Sequence, residues 1–285
     1  MAELREVPFR VALRVPVGEV RDREGVLIEG PEGWGEYSPL PSWSDDERAA
    51  ARAAAIEAAT QPFPEPVRAR IDVNMMVPRV TPEEAARMAV GSGCDTIKIK
   101  VGDAASVERV HAVREALPRA RIRLDANGAW DADTAGIFLA QVRGLGLELI
   151  EDPVSTLEEM ARFRRGSAVL IAAESCVRTV EDARMLRKLE AADVIVIKPQ
   201  RIGGARAALA AAEEAGVPAI ASSALETSVG LALVAAVAAA IPDAPFAHGV
   251  GTAGLLEHDV TASPLIPDAG SMEPRRVAPD LLFHD

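Results

Sequence analysis

From residue 71 onward, short apolar runs alternate with longer amphipathic stretches. The runs cover residues 71–75, 98–101, 121–125, 147–151, 169–173, 194–198 and 218–221, with a short one at 246–248. Between them the 3.6-residue periodicity predicts helices from Thr81-Pro82-Glu83-Glu84 onward and over 106–117, 131–142, 179–189, 205–215 and 228–240. Thr156 with Glu159 opens a further helix as a capping box. Near-continuous apolar strands separated by helices form parallel sheets covered by those helices. Eight of them predict a closed barrel. An open doubly wound sheet is the alternative, but no glycine-rich fingerprint follows the first strand.

The first 70 residues follow another rhythm. Residues 4–30 alternate loosely and suggest a hairpin or meander, with 15–25 as its charged, glycine-containing connection. Gly and Pro punctuate 33–41, which reads as a loop. Ser44 and Glu47 form a capping box for a helix running through residue 59, and three prolines in 61–66 mark a linker. The Pro-rich tail after residue 262 is expected to pack back on the N-terminal segment. This divides the chain into 1–70, a barrel over 71–262, and a C-terminal segment 263–285.

Composition narrows the function. A chain of 285 residues can bury one barrel core with a smaller domain beside it. A net charge of −12 argues against nucleic acid or an anionic membrane as partner. The longest apolar run, 229–241, is too short to span a bilayer. Cys94 and Cys176 lack metal-type spacing and read as idle thiols. Together with the lack of a basic, then apolar leader, they predict a cytoplasmic protein. Oligomeric state is not encoded in any of these features.

The chemistry lies where the apolar runs end. Lys98 and Lys100 alternate with Ile97, Ile99 and Val101, so both lysines share one face of a strand. Later runs end in Asp125, Glu151, Glu174 and Lys198, at separations of 25, 26, 23 and 24 residues counted from Lys100. One Asp at a strand end usually caps the next helix, and one Lys-x-Lys strand is usually a solvated edge. The even spacing across five successive strands favours a shared site, because parallel barrel strands end at one mouth. Three converging carboxylates repel unless a cation joins them. Oxygen-only ligands favour Mg²⁺ over Zn²⁺, and no histidine sits nearby; His111 falls in a helix. Lys100 and Lys198 would then flank the metal, and a lysine near cations is a usable base. This set suits removal of a proton α to a carboxylate, with the metal stabilising the enediolate.

On these residues the chain resembles the enolase superfamily, in its muconate-lactonising subgroup, over nearly its whole length. The resemblance implies a (β/α)7β TIM-type barrel with an α+β capping domain built from both termini. It implies Lys100 as the base, Lys98 as its neighbour holding down its pKa, and Lys198 as the opposing lysine. Asp125 of Asp-Ala-Asn-Gly and Glu151 of Glu-Asp-Pro match two metal ligands. The third is usually the Asp of Asp-Glu-Ser; here the segment reads Ala172-Ala173-Glu174-Ser175, and matching the strand puts Glu174 in that place. The implied cofactor is Mg²⁺, with Mn²⁺ as substitute, and the implied partner is a small-molecule carboxylate.

Val73–Pro78, Ser222–Gly230 and His248–Thr252 are most similar to members that dehydrate 2-succinyl-6-hydroxy-2,4-cyclohexadiene-1-carboxylate in menaquinone biosynthesis. By that resemblance Ser222, Ser223, Gly249 and Gly251 would contact the substrate carboxylates, and 15–25 would close the mouth as a lid. Racemisation of N-succinyl amino acids by the same two lysines is the competing activity. A metal-free Schiff-base aldolase using Lys198 would leave three carboxylates unexplained. A non-catalytic barrel would leave the whole set unexplained.

Overall fold

The computed structural model describes residues 4–280. Seven parallel strands form one sheet: β5 (Asn74–Val77), β6 (Thr96–Lys100), β7 (Arg121–Asp125), β8 (Leu147–Glu151), β9 (Leu170–Ala173), β10 (Val194–Ile197) and β11 (Ala219–Ala221), each hydrogen-bonded to the next. The eighth position is reduced to bridges. His248 pairs with Val73 on one side and Gly249 with Ser222 on the other, so these two residues join the edges of the sheet. A Cβ on Gly249 would lie 2.5 Å from the Ser222 hydroxyl, so a side chain there would push this closure apart.

Alternation splits the barrel strands into two sets. Leu149, Ala172, Val194, Val196 and Ile220 fill the barrel interior against Phe246. Ile150, Ile171, Ala173, Ile195 and Ile197 join the larger core beneath the helices. Each buried Ile or Leu contributes roughly 1.5–3 kcal/mol. The helices are α2 (Pro82–Ser92), α3 (Ser106–Ala116), α4 (Ala132–Gln141), α5 (Leu157–Arg164), α6 (Val180–Leu189), a short α7 (Pro199–Ile202), α8 (Ala205–Ala215) and α9 (Ser228–Ala240). The Ala-rich run is α9, buried along all but its last residue. A helix apolar on every side needs cover on every side. It finds that cover between the barrel and the N-terminal layer.

That layer is an antiparallel sheet, β1 (Arg5–Val17), β2 (Val20–Gly30) and β3 (Gly33–Tyr37), carrying α1 (Asp45–Thr60). Two expectations are corrected here. The segment 15–25 is not a long connection: Val17 pairs with Val20, and the turn is only Gly18-Glu19, with Gly18 at φ +61°. Its charges sit on strands because one face is wet, as with Arg10 and Asp22 at 2.8 Å. Residues 33–37 form a strand, not a loop; a Cβ on Gly35 would lie 2.0 Å from the Ala55 carbonyl, so glycine lets α1 press on the sheet. Ser44 and Glu47 complete the capping box of α1.

The C-terminal segment adds β12 (Ser271–Met272), antiparallel to β4 (Ile71–Asp72). Arg276 donates to the Ala58 and Gln61 carbonyls and lies over Phe63. Residues 281–285 of the expected tail fall outside the described residues.

Candidate active site

Strand register gathers the polar strand ends. Lys100 pairs with Asp125, Asp125 with Glu151, and Glu151 with Ala172. Partners in a parallel ladder face the same side, so Lys98, Lys100, Asp125 and Glu151 all point inward. Ala172 shares that face, and Glu174, two residues on, returns to it, whereas Ala173 packs outward. Glu174 is buried, and its carboxylate reaches the Lys198 ammonium at 2.6 Å.

Every carboxylate of the group faces a cation. Lys98, itself buried, lies 3.1 Å from Asp125 and 3.2 Å from Glu151. Lys100 donates to Asp125 at 2.6 Å and to the Asn127 side-chain oxygen at 2.8 Å. Arg201 donates to Glu174 at 2.9 Å and to Glu47 at 2.6 Å, tying the N-terminus of α1 to the site. Burial opposes the charge of Lys98, but Glu151 and Asp125 outweigh it and raise its pKa. Burial likewise opposes ionisation of Asp125, yet Lys100 and Lys98 hold its carboxyl well below the usual range. Glu174 is held down against burial by Lys198 and Arg201. Glu151 goes the other way: burial and then the Asp125 charge push it up to about 8.

That last shift bears on whether a metal belongs here. Three ammonium groups and a guanidinium face the three carboxylates, but among the described residues Glu151 meets Lys98 alone, and the donors are all hard oxygens, as a Mg²⁺-type ion requires. Among the described residues no three acidic, His or Cys side chains stand together as a ready-made cage. Lys98 lies between Asp125 and Glu151, and Lys198 and Arg201 occupy Glu174. The residues fit a hard cation in donor type and charge, and lysine contacts would loosen to admit it.

Above the carboxylates lies a cavity of about 400 Å³. Lys98, Lys100 and Lys198 line it, as do Ser222, Ser223 and Gly249. Gly251 does not. It sits behind the wall, on a groove shared with Met75 and Cys94, because the chain turns there into a short 3-10 helix whose Thr252 faces the cavity instead. Thr252 shares a 2.7 Å hydrogen bond with Ser223. The hairpin tip, residues 17–20, covers one side of the cavity.

Sequence reasoning missed several lining residues. Arg79 follows the end of β5 and donates to the Val101 carbonyl at 2.8 Å. Asn127, in the left-handed region at φ +52°, was visible only as part of Asp-Ala-Asn-Gly. Asp152 was also overlooked. Its carboxylate accepts the Glu174 and Ser175 amides, both at 2.9 Å, and fastens the end of β9 to that of β8. Burial and then Glu174 push Asp152 up to about 7.

Residues 80–279 match the family model for enolase C-terminal domain-like proteins, and residues 7–59 the enolase N-terminal domain-like model. The o-succinylbenzoate synthase of Thermobifida fusca is 48% identical over 275 residues, covering 94% of this chain and 87% of that protein. That of Mycobacterium ulcerans is 41% identical over 281 residues, covering 96% and 84%. Among solved structures, the L-Ala-D/L-Glu epimerase from Bacillus subtilis superposes with a TM-score of 0.84 at 24% identity, over 97% of each chain. The muconate lactonizing enzyme from Pseudomonas fluorescens also gives 0.84, at 21% identity over 97% and 94%. These two likenesses establish the fold.

Proposed function

The chain belongs to the enolase superfamily, within its o-succinylbenzoate synthase family of hydro-lyases, and we propose that Lys100 carries its reaction. That reaction is the syn dehydration of 2-succinyl-6-hydroxy-2,4-cyclohexadiene-1-carboxylate to o-succinylbenzoate, a step of menaquinone biosynthesis. One observation carries the assignment of the base: Lys100 reaches the cavity while its ammonium rests on Asp125 and Asn127, held at the strand end.

As the free amine, Lys100 takes the proton α to the ring carboxylate. The resulting ammonium gives that proton to the departing hydroxyl on the same face, so water leaves and the ring becomes aromatic. Lys98, kept charged by Glu151 and Asp125, places a fixed positive charge beside Lys100. Lys198 lines the other part of the cavity and steadies the negative charge that develops, electrostatically or over the ring face. Ser222, Ser223 and Gly249 orient the substrate carboxylates, and Thr252 stands where Gly251 was expected. Asp125, Glu151 and Glu174 would hold Mg²⁺, or Mn²⁺ in its place, which when bound supplies a Lewis acid to the substrate carboxylate and competes with the ammonium groups for Asp125.

We assign the described part of residues 1–70 to the capping domain and 71–262 to the barrel, with the described part of 263–285 packing back on the capping domain. We place the reaction in the cytoplasm, in keeping with two free thiols, Cys94 and Cys176. Among the described residues no helix is long and apolar enough to cross a membrane. The test is the ultraviolet absorbance change on adding protein to the cyclohexadiene substrate, with Mg²⁺ and again with EDTA. Turnover that EDTA abolishes supports both reaction and metal; no turnover with Mg²⁺ refutes the assignment. A second reading, racemisation of N-succinyl amino acids, is favoured by one fact: both Lys100 and Lys198 line the cavity. Exchange of the α-proton in D₂O, lost in Lys198→Met, would support it.

A further inference from the structure

Leu225 is one of the few non-glycine residues with a left-handed backbone, at φ +67°, and it lines the cavity. Leucine rarely adopts this conformation, and it persists only where surroundings hold it. Two contacts do so. The buried Arg23 donates through Nε to the Leu225 carbonyl at 3.0 Å, and the Glu226 carboxylate accepts the Ala224 amide. The second guanidinium nitrogen of Arg23 donates to the Ser38 carbonyl and, at 3.0 Å, to its hydroxyl. Gln200 joins the group, accepting the Ser38 amide at 3.1 Å and donating to Glu226 at 3.2 Å.

Arg23 lies on β2, three residues beyond Val20 at the hairpin tip. The tip and the segment 222–225 line the same cavity. One rigid strand therefore carries a wall of the cavity and the guanidinium that grips another wall.

We propose that Arg23 is a positioning residue for substrate selection: it locks Leu225 against the substrate and fixes the distance between the hairpin tip and the seventh-strand segment. The proposal rests on the reading of this cavity as the substrate site. Leu225 is the side chain that gauges the ring, and Arg23 acts only through it.

The experiment compares the full chain with Arg23→Met and Leu225→Ala, reading kcat and KM separately and amide hydrogen exchange across the chain. Arg23→Met should raise KM about tenfold while kcat changes less than about threefold, because the wall moves and the base does not. Exchange should quicken in 222–227 and stay unchanged in the barrel strands. Leu225→Ala should raise KM in the same way without quickening exchange, since Arg23 still holds the backbone carbonyl. Arg23→Lys keeps the buried charge but cannot reach both the Leu225 and Ser38 carbonyls; it carries the same expectation in smaller measure. Unchanged KM and unchanged exchange in both Arg23 variants would overturn the proposal, as would exchange that quickens uniformly. The exchange readout needs no substrate. If the unaltered protein turns nothing over, the reading of the cavity fails on its own, and exchange still decides whether Arg23 holds 222–227.

Discussion

Two clusters of buried carboxylates with their cations sit near each other in this molecule, and they are finished differently. At the barrel mouth, Asp125, Glu151 and Glu174 are met almost wholly by side-chain cations on flexible stems, Lys98, Lys100, Lys198 and Arg201. Between the N-terminal sheet and α9, Glu36 is met by fixed groups. It accepts the Thr227 amide at 3.1 Å, the Gly230 amide at 3.0 Å, the Thr227 hydroxyl at 2.5 Å and the Ser38 hydroxyl at 2.6 Å. The amides are orphan donors of the first turn of α9, so Glu36 caps that helix from another layer of the fold. Lysine ammonium groups can be displaced by a metal or turned toward a substrate; helix amides cannot. The first cluster is open to exchange of ligands, and the second joins two parts of the structure permanently.

The difference can be broken at either end. The largest effect is expected from Lys100→Met, which should lower turnover by about a thousandfold or more with the fold intact, read by absorbance assay and circular dichroism. Asp125→Asn comes next. It should weaken Mg²⁺ binding and turnover by about a hundredfold, whereas Glu36→Gln should leave Mg²⁺ binding as it was. Glu36→Ala should act on the fold instead. Stranding the amides of α9 should cost about 3 kcal/mol in denaturant unfolding.

A smaller, graded effect follows from pH. Burial, and then the neighbouring Glu226, raise the Glu36 pKa to about 7. The native state therefore prefers the protonated form, and stability from that preference is complete below the unfolded value near 4.5 and lost as pH rises through about 7. Stability should fall between about pH 5 and 8, by at most about 3 kcal/mol from this group. Glu36→Gln should remove that part of the slope. Glu151 and Asp152 add slope of the same sign, and saturating Mg²⁺ should abolish the share of Glu151.

The mouth cluster was legible in the sequence and the interlayer cluster was not. Lys98, Lys100, Asp125, Glu151, Glu174 and Lys198 sit at strand ends, where two-residue alternation and a common strand direction decide what faces inward. Even the choice between Ala173 and Glu174 reduces to alternation along β9. Arg23, Glu36 and Leu225 have no such rule. Arg23 lies in a charged run that resembles a solvated connection, and Leu225 is left-handed only because distant groups grip it. The eighth strand was overdrawn because its ladder consists of single bridges at His248 and Gly249. Thr252 rather than Gly251 lines the cavity because a short helical turn follows Gly249 there.

The open character of the mouth is tested most directly by calorimetric titration of Mg²⁺ into the unaltered protein at about pH 7.5, beside Asp125→Asn and Glu36→Gln. The account predicts one Mg²⁺ per chain for the unaltered protein and for Glu36→Gln, and none at the same concentrations for Asp125→Asn. Absence of binding to the unaltered protein, or equal binding by Asp125→Asn, would contradict it.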